Sequence, residues 1–239
     1  MQMVLGFASI IGIAPAMILM YLVLRKYTYP AVEKPFFSDP YFFGLFVVGM
    51  ISGTILFAVY TYFWGNAIIS ALLFGVLEVM VILVILNLRR FHGKSDTVFY
   101  GYGLGLGFGA TMAVGMSYYL ISVSSSAGEA LGALDYVILV ILTISKTMLL
   151  SAAGLTVGEG VAKLRILEFT SQAVLVNMIY HIVMVPWFSN PGQWIGTLSL
   201  FLGLIVAIAY FYKTAFSDLP NVVRAVLRQE GSKRGDVPK

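Results

Sequence analysis

The sequence predicts an all-α membrane protein: a bundle of about seven transmembrane helices with almost no mass outside the bilayer. Three observations predict it. The 239-residue chain is 59% hydrophobic and only 11% charged, whereas soluble domains carry roughly 25% charged residues. So few charges cannot cover a water-facing surface, so lipid is the solvent. Stretches of the roughly 20 apolar residues that a spanning helix needs recur along the chain. The loops between them alternate between basic and non-basic, as loops on opposite sides of a membrane do.

The spans are expected, in order, at Met3–Leu24, Tyr41–Phe63, Ala67–Leu88, Thr97–Val123, Asp135–Gly158, Ile166–Trp187 and Trp194–Tyr212. The first is read as a retained span. No basic leader precedes it, and its apolar run is too long for a cleavable signal. The fifth and sixth are the hardest to separate, because Glu159, Lys163, Arg165 and Glu168 crowd their junction. A six-span reading would merge or shorten that region.

The loops argue for seven. The first carries Arg25, Lys26 and Lys34, the third Arg89, Arg90 and Lys94, and the fifth Lys163 and Arg165. The second (Trp64-Gly65-Asn66), the fourth (Ser124 to Asp135) and the sixth (Phe188 to Gln193) carry no base. Removing a span would break the alternation. Basic loops stay in the cytoplasm, which puts the amino terminus outside and the carboxyl terminus inside. Trp64, Trp187 and Trp194 then fall at the outer interface, where indole rings concentrate.

The chain divides into a bundle, residues 1–213, and a cytoplasmic tail, residues 214–239. In the tail, Ser217-Asp218-Leu219-Pro220 has the residue types of a helix start. Val222, Val223, Val226 and Leu227 then share a face at helical spacing, with Arg224 and Arg228 off it. This is the pattern of a short amphipathic helix lying on anionic lipid. Beyond Gly231 the chain is expected to be disordered.

The fourth span contains Gly101, Gly103, Gly105, Gly107 and Gly109. Alternate glycines mimic a strand, but a lone strand leaves its backbone unsatisfied in hydrocarbon, so the segment must be helical. On a helix Gly101, Gly105 and Gly109 share one face and Gly103 and Gly107 another, which lets neighbouring backbones approach closely. The residue types are wrong for a phosphate loop, and no lysine follows.

Charges within spans are costly and are usually paired or functional. Glu78, Lys146 and Asn177 each lie about eleven residues into their spans, roughly 16 Å deep at 1.5 Å per residue. A Glu78–Lys146 ion pair with Asn177 beside it would satisfy both charges. His181 lies one turn from Asn177, toward the outer surface. The polar cluster is thus Glu78, Lys146, Asn177 and His181. It reads either as a pair that fixes helix register or as a transport or catalytic centre. The chain has no cysteine and two histidines, His92 and His181. That excludes disulfides, thiolate metal sites, cysteine nucleophiles and a zinc site built mainly of histidine. The net charge of +4 gives no reason to expect nucleic acid.

Three stretches, in order and spacing, resemble the PrsW family of intramembrane metalloproteases. Pro15-Ala16-Met17 leads through Leu24-Arg25-Lys26-Tyr27 and Pro30 to Phe42-Phe43-Gly44. Leu77-Glu78-Val79-Met80-Val81 leads to Arg89-Arg90. Asp96-Thr97-Val98-Phe99-Tyr100-Gly101 leads to Gly105-Leu106-Gly107-Phe108. The resemblance covers roughly Ile10 to Gly109 and continues beyond only in hydropathy.

The resemblance implies a helical membrane bundle, with Glu78 as the one active-site candidate retained. Of the family's two glutamates the first is replaced by Leu77, and the lysine that follows is replaced by Val81. Met112 and Ala113 stand where the family has a glutamate and an asparagine. Its later histidines have no counterpart around Leu149–Gly158, although Asn177 and His181 keep a spacing of four. The expectation is a non-proteolytic member of the cell membrane, of prokaryotic type and without cofactor. Its partners would be the lipid bilayer and other membrane proteins, as a client-binding protein or a complex subunit. Two alternatives stay open: an active zinc protease, and a small transporter or channel component.

Overall fold

The structure, a computed structural model, describes residues 2–62, 67–126, 131–189, 193–229 and 237. Among these residues there is no strand, and seven helices are long and apolar enough to cross a membrane. They are α1 (Gln2–Leu24), α2 (Asp39–Tyr62), α3 (Ala67–Leu86), α4 (Thr97–Ser126), α5 (Ala133–Ala162), α6 (Ile166–Ser189) and α7 (Trp194–Tyr212). A π-helical segment, Lys213–Asp218, joins α7 to α8 (Leu219–Gln229). The observed spans match the expected ones closely, although α5 runs on to Ala162 and α4 to Ser126.

The crowded junction after α5 is a sharp helix stop. Leu164 takes a left-handed conformation (φ 59°). The Arg165 N–H donates to the Gly160 carbonyl (2.8 Å) and the Leu164 N–H to the Val161 carbonyl (3.4 Å). This double closure caps orphan carbonyls and turns the chain, so α5 and α6 are two helices. The charges pair within the corner: Lys163 with Glu159 at 2.6 Å and Arg165 with Glu168 at 2.5 Å.

Helix α4 is central and packs on α1, α2 and α5. Its two glycine faces meet different neighbours. A Cβ on Gly101 or Gly105 would strike the α5 backbone at the Gly154 or Leu150 carbonyl, and one on Gly109 would lie 2.9 Å from Thr147 Cα. On the other face, Gly103 meets Phe42 and Gly107 meets the Phe46 carbonyl, both on α2. Gly49 and Gly53 of α2 answer against the Leu104 and Phe108 carbonyls. Backbones this close maximise dispersion contact, which association in lipid relies on. Tyr102 adds a hydrogen bond from its hydroxyl to the Leu19 carbonyl of α1 (2.7 Å).

One expectation needs correction. The apolar stripe of α8 does not face outward. Val222, Val223, Val226 and Leu227 are buried, in the same core as Phe211 and Val161. The helix forms, but the protein itself covers its apolar face, and this segment continues α7 without a break. Trp187, two residues from the end of α6, packs its ring against the bundle (5% exposed), and Trp194, at the start of α7, is 74% exposed. The expectations for Trp64, for Asn190-Pro191-Gly192 and for disorder after Gly231 lie outside the described residues, apart from Val237, which packs against the core.

Candidate functional site

Three helices bring the polar cluster together. Glu78 comes from α3, Lys146 from α5, and Asn177 and His181 from successive turns of α6. All four side chains are buried at 0–3% exposure. Helices α3 and α6 can approach because Gly75 lies where a Cβ would come within 2.9 Å of Met178 Cα. That contact puts Asn177 one turn of α3 from Glu78.

Both oxygens of the Glu78 carboxylate are engaged. Its Oε1 accepts from Lys146 Nζ at 2.5 Å. Its Oε2 accepts from Asn177 Nδ2 at 3.0 Å and lies 3.1 Å from His181 Nε2. Asn177 Nδ2 also donates to the Gly75 carbonyl at 3.0 Å. Both Nδ2 partners are acceptors, which fixes the amide orientation: a flip would set Asn177 Oδ1 against them. Oδ1 meets no hydrogen-bond donor among the described residues.

His181 joins the ion pair directly. Its Nε2 is 3.1 Å from Lys146 Nζ as well as 3.1 Å from Glu78 Oε2. The reading that set Glu78 and His181 at different depths therefore needs correction. Counting backbone rise places Cα atoms, and these long side chains bridge the turn between them.

A flanking contact was not foreseen. Ser145 Oγ donates to the Tyr180 hydroxyl at 2.8 Å, and Lys146 Nζ lies 5.7 Å from the Tyr180 ring centroid. Both residues neighbour cluster members in sequence, and both read simply as ordinary span residues. Gly75, three residues before Glu78, was the one available signal of close helix approach.

The geometry says what this centre can do. One anion faces one ammonium, one amide and one imidazole, so every charge has a partner inside a low-dielectric core. Breaking such a pair commonly costs about 3–5 kcal/mol. The cluster therefore locks α3, α5 and α6 in register. It does not suit a zinc ion. Catalytic zinc takes three protein ligands and an open position. Among the described residues no three His, Cys, Asp or Glu side chains are grouped to hold a metal. An ion shared by Glu78 and His181 would also sit against the Lys146 ammonium, which is within 3.1 Å of both. Met112 and Ala113, at the positions where the resembled family has polar residues, are fully buried in α4.

Comparisons with protein-family models, with curated proteins and with solved structures find no match.

Proposed function

We propose that this chain is a PrsW-like integral membrane protein without proteolytic activity, which binds a membrane client or serves as a subunit of a membrane complex. The observation that carries this reading is the engagement of Glu78. The one carboxylate left from the family's active-site pattern spends both oxygens on Lys146 and Asn177, with His181 alongside. A general base or metal ligand must present an oxygen to water or to the metal, whereas both Glu78 oxygens are hydrogen-bonded inside a core that leaves the residue at 0% exposure. What remains is a rigid bundle whose outer faces are apolar, including Phe201, Leu202 and Ile205 of α7. Such faces suit lipid and other membrane helices.

Transport would require Lys146 or Glu78 to reach an aqueous cavity, and both are at 0% exposure. The test is gentle purification from native membranes, followed by mass spectrometry, zinc determination and an intramembrane cleavage assay. The reading expects a stoichiometric protein partner, no zinc and no cleavage. One zinc per chain, lost in Glu78→Gln together with cleavage of a membrane substrate, would overturn it. Ion or solute flux in proteoliposomes would move the assignment to transport.

A further inference from the structure

We propose that the neighbouring ends of α1 and α7 form a binding site for one anionic phospholipid, with Arg25 and Lys26 holding its phosphate. The two helices present matching columns of side chains. On α1, Met17 and Ile18, then Tyr21, then Arg25 follow at spacings of three or four residues, which puts them on one face; all four are exposed. On α7, Ile205, Ile208 and Tyr212 follow at the same spacings and are exposed too. The Phe216 ring of the π segment extends that column, 5.8 Å from the Tyr212 ring. Each column runs from aliphatic to aromatic toward the helix end, with Tyr21 at 66% and Tyr212 at 65% exposure.

Lys26 ties the columns together. It follows α1 directly, and its Nζ lies 5.8 Å from the Phe216 ring centroid. Arg25 Cζ lies 5.9 Å from the Tyr21 ring. Both are within the roughly 6 Å of a cation–π contact. Such contacts hold the two cations at the helix ends and use none of their N–H donors in hydrogen bonds.

These cations also lack a protein counter-charge. Lys146, Lys163 and Arg165 pair with Glu78, Glu159 and Glu168. Among the described residues no carboxylate pairs with Arg25 or Lys26. Glu33, the one acid between α1 and α2, is exposed and reaches neither.

The order of groups along the columns identifies the occupant. Aliphatic side chains suit acyl chains, and exposed tyrosines mark the headgroup level. Two unmatched cations beyond them suit a phosphate, which arginine grips with two parallel N–H groups and lysine meets as a point charge. A diacyl phospholipid carries chains and phosphate in this same sequence. A net negative headgroup supplies the complementary charge that a zwitterionic one lacks. The stripe of α8 is covered by the core, so this site on the spans, and not the tail, carries the selective lipid contact.

Native mass spectrometry of the full chain, delipidated in mild detergent and titrated with phosphatidylglycerol or phosphatidylcholine, counts bound lipids and gives the affinity of the first. Phosphatidylglycerol should bind first and tighter. Replacing both bases, Arg25→Gln with Lys26→Gln, should weaken it at least about tenfold, since each base near an anionic headgroup is worth about fivefold. Phosphatidylcholine binding should not change, which also reports that the surface of the variant is intact. Tyr21→Leu, which removes a ring and keeps both charges, should weaken phosphatidylglycerol about twofold. Lys94→Gln, an exposed base on another loop, should leave it unchanged. Equal affinity for the two lipids, or phosphatidylglycerol binding that survives loss of both bases, would leave this face to any acyl chain or to a protein helix and overturns the proposal. So does an equal loss in Lys94→Gln, which would mean diffuse attraction without a site.

Discussion

Replacing Gly105 with alanine tests how closely α4 and α5 must approach. The added Cβ would overlap the Leu150 carbonyl oxygen and lie 2.9 Å from Ser151 Cα and 3.0 Å from the Leu150 carbonyl carbon. Carbon atoms normally rest about 3.5–4.0 Å apart, so the helices must separate by the better part of ~1 Å. All three atoms are backbone, so no side chain can rotate away. Overpacking of this kind costs about 1–3 kcal/mol. Alanine also favours a helix over glycine by about 0.5–1 kcal/mol, which would mask part of the loss. Gly44→Ala supplies the correction, because a Cβ there meets nothing within 4 Å and Gly44 lies within a helix like Gly105. Reversible unfolding in mixed detergent micelles, read by circular dichroism, should place Gly105→Ala about 1–3 kcal/mol below Gly44→Ala. Gly105→Leu should fall further. Equal stability of the two alanine variants would mean that α4 and α5 do not touch at this seam.

Other perturbations address the cluster, the tail and the topology. Glu78→Gln or Lys146→Met alone should each cost about 3–5 kcal/mol, with the double variant losing less than the sum; strict additivity would refute direct pairing. Val223→Asp should free α8 from the core, costing at least the burial of one valine side chain, about 1.5–3 kcal/mol, and exposing the tail to limited proteolysis. Undiminished protection would show that the α8 contacts contribute nothing. Reporters fused after Lys94 and after Lys239 should read as cytoplasmic and one within Ser124–Ala130 as external; a reversal at either end contradicts the orientation drawn from the basic loops.

What could be read from the sequence follows from how lipid restricts the chain. Backbone hydrogen bonds must close within each span, so helix was the only choice for the glycine-rich segment, despite its strand-like period. Charges are rare in such spans, so a glutamate and a lysine at equal depth on different helices pointed to each other. Residue counting placed Glu78, Lys146 and Asn177 at one level, and their side chains do meet. It failed for His181, because a count of backbone rise ignores the reach of the side chains across one turn. It also could not say which of two solvents the α8 stripe would meet. Val222, Val223, Val226 and Leu227 fit lipid or protein equally well by pattern, and the choice depends on where the chain before them points. Here the π segment continues α7 directly into α8. That continuity turns the stripe back onto the core. An extra residue per turn rotates the helix face relative to a regular α-helix, and nothing in the local sequence Lys213-Thr214-Ala215-Phe216-Ser217-Asp218 announces it.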